Sequence, residues 1–360
     1  MNGFRAWISR PVNASIIGAA MLLLILIAWR WPTALMAGYL AAWSFWLGVP
    51  LGTLGILLIH RLTGGHWGEG LLDQSPSVLR SLPGLGLLLI PVMLGMKFIY
   101  PWTHGHAANE DAAFQHWYLS LGPFVTRTVI YFLIWQALAW VATNPASRFA
   151  GPGLLLTVIT ISFASLDWLA SVSADFVSTM FGLYVLVSYG LTALCVLLLS
   201  ALTRREDWSA KQLNDWGNFL LTIVMMHGYL AFSQFLIIWS GNLPREAKWY
   251  VERMHGTWGG AAILLIIFQL FLPLFVLLFR SVKRNPAMLG ATAGVVLLMQ
   301  WIESAWVVLP SMAEWNGTAA HTVIALGVMV VATAGLGLLL LPVWGVIARP
   351  MPLEKPEVSR

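Results

Sequence analysis

The side chains able to do chemistry in this chain are few, and most lie where lipid is expected. Asp167 sits inside the apolar run 152–172 and Glu303 inside the run 286–309. An acid at such depth costs about 2.5–3.5 kcal/mol to insert, so it is rarely idle. His227 is near the middle of the run 212–240, with Gln234 two turns further along the same side. Asp175 stands where the chain turns from one run into the next, Lys97 closes a run near 81–101, and Arg127 opens the run 123–143. Carboxylates and an imidazole can pass protons near neutral pH, and neighbouring cations lower an acid's proton affinity. Asp167, Glu303, His227, Lys97, Arg127 and Asp175 are therefore the proton-transfer candidates. Each has a plainer reading: an ion pair between acid and cation, snorkelling of Lys97 and Arg127 to headgroups, and a hydrogen-bonded packing role for His227.

Gln300, Glu303 and Ser304 follow one another at i, i+3 and i+4 and so share a helix face. A polar face in lipid must look into a bundle or a wet cavity. Metal chemistry has less to work with. Cys195 is the only cysteine, which excludes an intrachain disulfide, a zinc knuckle, a CxxCH haem attachment and a cysteine-ligated cluster. His60, His227 and His321 fall at unmatched depths, so no axial pair for a haem is expected. His104, His106 and His116 are expected to be solvated loop residues rather than a copper or zinc site.

The elements that must hold these residues are membrane helices. Apolar residues make up 59% of the 360 and charged residues only 10%, against roughly 25% charged in soluble domains. A span needs about 20 apolar residues. Ten runs qualify: 12–30, 33–60, 81–101, 123–143, 152–172, 176–201, 212–240, 257–280, 286–309 and 320–348. The first is too long for a signal-peptide core and has no small-residue cleavage site before the next span. Six of the twenty Lys and Arg (Arg30, Lys97, Arg127, Arg245, Lys248, Arg253) fall on one side of this topology and the rest on the other. The positive-inside rule then places both termini in the cytoplasm.

The pattern predicts an all-α polytopic membrane protein with one transmembrane domain, 1–349, and a disordered tail, 350–360. His60-Arg-Leu-Thr63 with Trp67 and Ala201-Leu-Thr203 with Trp208 echo each other about 140 residues apart. That offset suits parallel repeats at about 33–172 and 176–309: two four-helix bundles, spans 2–5 and 6–9, plus flanking helices 1 and 10. Gly48, Gly52 and Gly55 form a small-residue stripe for close helix packing. Trp29, Trp31, Trp102, Trp208 and Trp239, at span ends, are expected in the aromatic belt. The net charge of +5 is spread over short loops as topology signals and requires no nucleic-acid partner.

Four blocks, covering about 39–253, carry a resemblance. They are Phe45-Trp-Leu-Gly48 with Leu62-Thr-Gly-Gly-His-Trp-Gly68; Pro123-Phe-Val-Thr-Arg127 through Trp135; Asp167-Trp168 through Ser178-Thr-Met-Phe-Gly182; and Phe232-Ser-Gln234 through Asn242-Leu-Pro244, then Trp249-Tyr250. Together they resemble the NrfD/polysulfide-reductase-C type membrane subunits, most nearly the second, shorter such subunit of alternative complex III, a quinol:cytochrome c oxidoreductase. The resemblance implies a ten-helix subunit of the bacterial inner membrane. Its expected partners are a paralogous NrfD-like subunit, iron–sulfur and haem c subunits, lipids and a terminal oxidase. It implies menaquinol or ubiquinol as the redox substrate and haem c and iron–sulfur clusters in partners, with no cofactor bound by this chain. Carried over by position, Asp167, Arg127 and Gln234 become quinol-site candidates. The family's loop acid, proline and histidine are here Ser173, Ala174 and Asp175, and its acid after Asn-Leu-Pro is Arg245.

These residues lead to the expectation of a subunit of a quinol-oxidising respiratory complex that supports the quinol site and proton transfer and is not catalytic alone. A stand-alone ion or small-solute transporter is the rival, and a structural scaffold is the third reading.

Overall fold

The computed structural model describes residues 26–104, 117–144, 149–173, 176, 178–204, 208–315 and 319–345. Among them there is no strand, and nine helices are long and apolar enough to cross a membrane. The expected first span falls almost wholly outside the described residues, as do Asp175, His106, His116 and the tail 350–360.

In chain order the elements are α1 (Pro32–Thr63), α2 (Ser75–Leu94), α3 (Leu121–Thr143), α4 (Ala150–Trp168) and α5 (Phe181–Thr203). They continue with α6 (Ala210–Gly241), α7 (Pro244–Met254), α8 (Gly256–Leu278), α9 (Pro286–Val308) and α10 (Ala319–Gly345). Their ends follow local chemistry. Ser209 and Gln212 close a capping box at the start of α6, each side chain bonding the other's backbone N–H at 3.2 Å. Asn242 stops α6 in the left-handed conformation (φ 46°), and Pro244 then opens α7 where no N–H is needed. Asn285 caps α9 by accepting from the N–H groups of Ala287 and Met288, ahead of Pro286.

Helix α1 is the hub. It packs against α10, α5, α9 and α4, and 83% of its apolar window is buried, against 17% for α8. The glycine stripe explains one contact: a Cβ at Gly52 would lie 2.0 Å from the Tyr189 carbonyl oxygen, and one at Gly48 would meet the Tyr189 ring at 2.8 Å. Gly55, by contrast, faces open space. Only glycine lets α1 and α5 approach this closely, and Ser44 hydrogen-bonds the Tyr189 hydroxyl at 2.9 Å across the contact.

Helix α2 is broken into Ser75–Leu79, Leu82–Leu87 and Ile90–Leu94: Pro76 opens the first piece, and Pro83 and Pro91 each restart the helix. Several indoles away from the span ends are clasps between helices. Trp43 donates to the Leu85 carbonyl, Trp46 to the Thr333 carbonyl, Trp135 to Thr160 and Trp301 to the Thr333 hydroxyl, all at 2.9 Å. Trp29 and Trp239 are exposed, as a belt requires.

Candidate functional site

The buried acids do not share a site. Each completes its own network in its own set of helices, and among the described residues no hydrogen bond or ion pair joins the two.

Asp167, fully buried near the end of α4, is held from α3. Arg127 and Tyr131 stand one turn apart on α3 and so present one face. Arg127 donates through Nε to Oδ2 and through Nη2 to Oδ1, both at 2.9 Å, and the Tyr131 hydroxyl donates to Oδ2 at 2.9 Å. The remaining arm of the guanidinium donates to the Tyr118 carbonyl at 2.8 Å, and its plane lies 3.6 Å from the Tyr118 ring centre. Burial, and then the Asp167 charge, push the Tyr118 phenol up to about 12. Behind the pair, Trp168 donates to Thr128 at 3.1 Å and Tyr100 donates to the Trp168 carbonyl at 3.1 Å. A bidentate pair of this kind is closed. Arg keeps its proton at any working pH, so the charge of Asp167 is permanently met.

Glu303 is different. It is 3% exposed on α9 and takes donors from four helices. Oε1 accepts from the Tyr184 hydroxyl of α5 and from His227 Nε2 of α6, the latter at 2.9 Å. Oε2 accepts from Gln269 Nε2 of α8 at 2.7 Å and from Gln300 Nε2 of α9 at 2.8 Å. Ser188 and Thr192 of α5 donate to the Gln300 oxygen at 2.7 and 3.0 Å, which turns its amide nitrogen toward Glu303. The Tyr184 ring lies 5.3 Å from the His227 ring. Gln269 reaches the acid from a π-helical stretch of α8, Ile266–Phe271, a local widening that recurs at functional sites. Gly228 admits that stretch: a Cβ there would lie 2.4 Å from the Leu270 side chain.

Chemically the second network can do what the first cannot. An imidazole bonded to a buried carboxylate can exist as neutral His with protonated Glu or as imidazolium with carboxylate. The two forms differ by one proton shifted about 1 Å along a hydrogen bond whose Nε2 and Oε1 are 2.9 Å apart.

The plainer reading, an ion pair of each acid with Lys97 or Arg127, is met by Asp167 and Arg127 alone. Lys97 is exposed and rests over the Phe98 ring at 5.0 Å, because a long cation gains more from the interface than from a buried pair. Glu303 pairs with His227 instead. Gln234 is buried on α6, two turns from His227, and its partner is Tyr250 of α7 rather than Asp167 or Arg127. Of the three quinol-site candidates, Asp167 and Arg127 are thus together and Gln234 stands apart from them.

Sequence reasoning missed Tyr131, Tyr184, Gln269 and Arg253. Gln269 had a readable signal, as the one amide in the apolar run 257–280. Arg253, counted in the sequence only as a topology charge, is fully buried and donates to the carbonyls of Trp306 (3.0 Å), Val307 (2.6 Å) and Trp249 (2.9 Å) and to Ser311 (2.9 Å). It caps the end of α9, where helix carbonyls lack partners and carry negative potential. Its spacing of four from Trp249, whose ring it covers at 3.7 Å, was the available clue.

Beside the Asp167 network, α2 and α3 border an apolar groove of about 510 Å³, lined by Leu87, Ile90, Met93, Val129, Phe132 and Leu133 among others. Its only polar side chains are Thr128 and Gln136. Among the described residues no group of three or more His, Cys, Asp and Glu could hold a metal ion. No protein-family model matches this chain, and no curated protein sequence matches it.

Proposed function

We propose that this chain is an integral membrane subunit of a quinol-oxidising electron-transfer complex of the alternative complex III kind, in which Glu303 and His227 take up and pass on protons. One observation carries the proton role: a buried carboxylate and imidazole in direct contact, fixed by donors from four helices. The four sequence blocks support the assembly. In that assembly quinol and lipid meet the chain in the bacterial inner membrane, with both termini cytoplasmic. Haem c and iron–sulfur centres belong to partner subunits, beside a paralogous membrane subunit. The apolar groove between α2 and α3 is of a size and polarity suited to a quinol's isoprenoid chain.

The placement of the two acids supports the two-bundle reading, α1–α4 in one and α5, α6, α8 and α9 in the other, although α1 packs most closely on α10 and α5. In each, an acid near the end of the last helix is held by a side chain of the third: Asp167 by Arg127 of α3, and Glu303 by Gln269 of α8. In this reading the first site has become a fixed strut and the second remains a proton site. Quinol oxidation releases protons with its electrons, and a general acid–base pair speeds such transfer by roughly 10²–10⁴.

The test is Glu303→Gln in the purified native assembly, with Asp167→Asn beside it. Turnover or proton release should fall at least tenfold in the first variant and stay within about threefold in the second. Wild-type turnover and proton stoichiometry in Glu303→Gln would end the assignment. The broken α2 gives some support to a transporter, since interrupted spans mark midplane sites. Its counterpart α6, however, runs unbroken for 32 residues. Co-purification of haem c or iron–sulfur absorbance in mild detergent separates the two.

A further inference from the structure

Two buried amide oxygens have no hydrogen-bond donor among the described residues: Oε1 of Gln269, in the Glu303 network, and Oε1 of Gln234, two turns from His227 on α6. Both side chains are at least 97% buried, Gln269 being 3% and Gln234 2% exposed. A buried oxygen left in this way costs about 1–3 kcal/mol, and folded proteins meet that cost with internal water where the surroundings are polar. The Gln269 oxygen is level with His227. Gln234 lies seven residues further along α6, about 10 Å at 1.5 Å per residue, toward the end of the helix that α7 covers. Gln234 is the hydrogen-bonding neighbour of Tyr250, and Tyr184 holds Glu303. Burial pushes the Tyr250 phenol above its ordinary value, opposed by that Gln234 bond and by Arg253. The rings of Phe235, Trp249 and Trp306 fix Tyr250 at centroid distances of 5.3, 4.8 and 6.4 Å. Beyond it, Lys248 and Glu252 lie on the outer side of α7 at 3.9 Å.

We propose that water bound at the Gln234 amide oxygen continues the Glu303 network outward, making Gln234 and Tyr250 the mouth of a proton route that ends at α7. This rests on the reading of Glu303 and His227 as a proton site. A proton leaving the pair protonates the first water, which gives up another of its protons to the next acceptor. Gln234 and Tyr250 orient that water and keep their own charge. They are positioning residues.

The experiment is time-resolved infrared spectroscopy of the purified full chain in lipid after a switch from H₂O to D₂O. The bands followed are those that Glu303→Gln removes. Gln234→Leu and Tyr250→Phe should each slow their exchange at least tenfold, while Gln234→Glu, which still binds water, should stay within about threefold of wild type. Wild-type exchange in both Gln234→Leu and Tyr250→Phe would overturn the proposal. If Gln234→Leu does not fold, Tyr250→Phe decides alone. Slowed exchange alongside full turnover of the Glu303→Gln assembly would leave the route standing and remove the function. Unslowed exchange with lost turnover would do the reverse.

Discussion

Replacing Arg127 by leucine isolates what the Asp167 pair contributes. In the wild type the Asp167 carboxylate, with no exposed surface, has three donors, of which Arg127 supplies two and Tyr131 the third. Arg127→Leu removes both charged donors and leaves a buried carboxylate with one neutral hydrogen bond. Breaking a buried pair from one side costs about 3–5 kcal/mol. The Arg127 side chain is 18% exposed, so water can reach part of the vacated space, and the lower end of that range applies. About 3 kcal/mol is somewhat more than a hundredfold in the unfolding equilibrium, at 1.36 kcal/mol per factor of ten. The double variant Arg127→Leu/Asp167→Leu removes the stranded charge and should recover most of the loss. The assay is built into the chain: Cys195 is the only cysteine and is fully buried, so a maleimide dye labels it only on unfolding. Denaturant midpoints followed by labelling should place the single variant well below wild type and the double variant near it. A single variant within about 1 kcal/mol of wild type would show that solvent already screens the pair, as it does surface pairs, and would refute the reading of a closed strut.

Other outcomes follow from neighbouring contacts. Gly52→Ala forces a methyl against the Tyr189 carbonyl and should cost about 1–3 kcal/mol in the same assay, while Gly55→Ala, in open space, should leave the midpoint unchanged. Arg253→Met strands the carbonyls of Trp306 and Val307, so amide exchange across 303–311 should quicken about tenfold or more, from the roughly 1.5–3 kcal/mol of a charged hydrogen bond. Gln269→Leu removes one donor from Glu303 and keeps His227 beside it. Turnover of the native assembly should fall less than in Glu303→Gln, and an equal loss would show that the π-helical amide, rather than the acid, is the essential group.

The sequence by itself determined the solvent and the element type. Apolar runs with almost no charge can only be membrane helices, because a backbone in lipid must satisfy its own hydrogen bonds. It also identified Asp167, Glu303, His227 and Arg127 as residues too costly to bury without a reason. Partner choice came from tertiary structure. Nothing in the spacing of Arg127, Lys97 and His227 says which of them meets Asp167 and which meets Glu303, because depth along a helix is legible in sequence and rotation about it against neighbours is not. Tyr184, Gln269 and Arg253 entered the site through helix–helix contacts set by Gly228, the π turn of α8 and the fold of α7 over the end of α9. Such contacts are made by shape between residues tens to more than a hundred positions apart, so only the packed chain decides which acid is closed by an arginine and which is left beside a group that can take its proton.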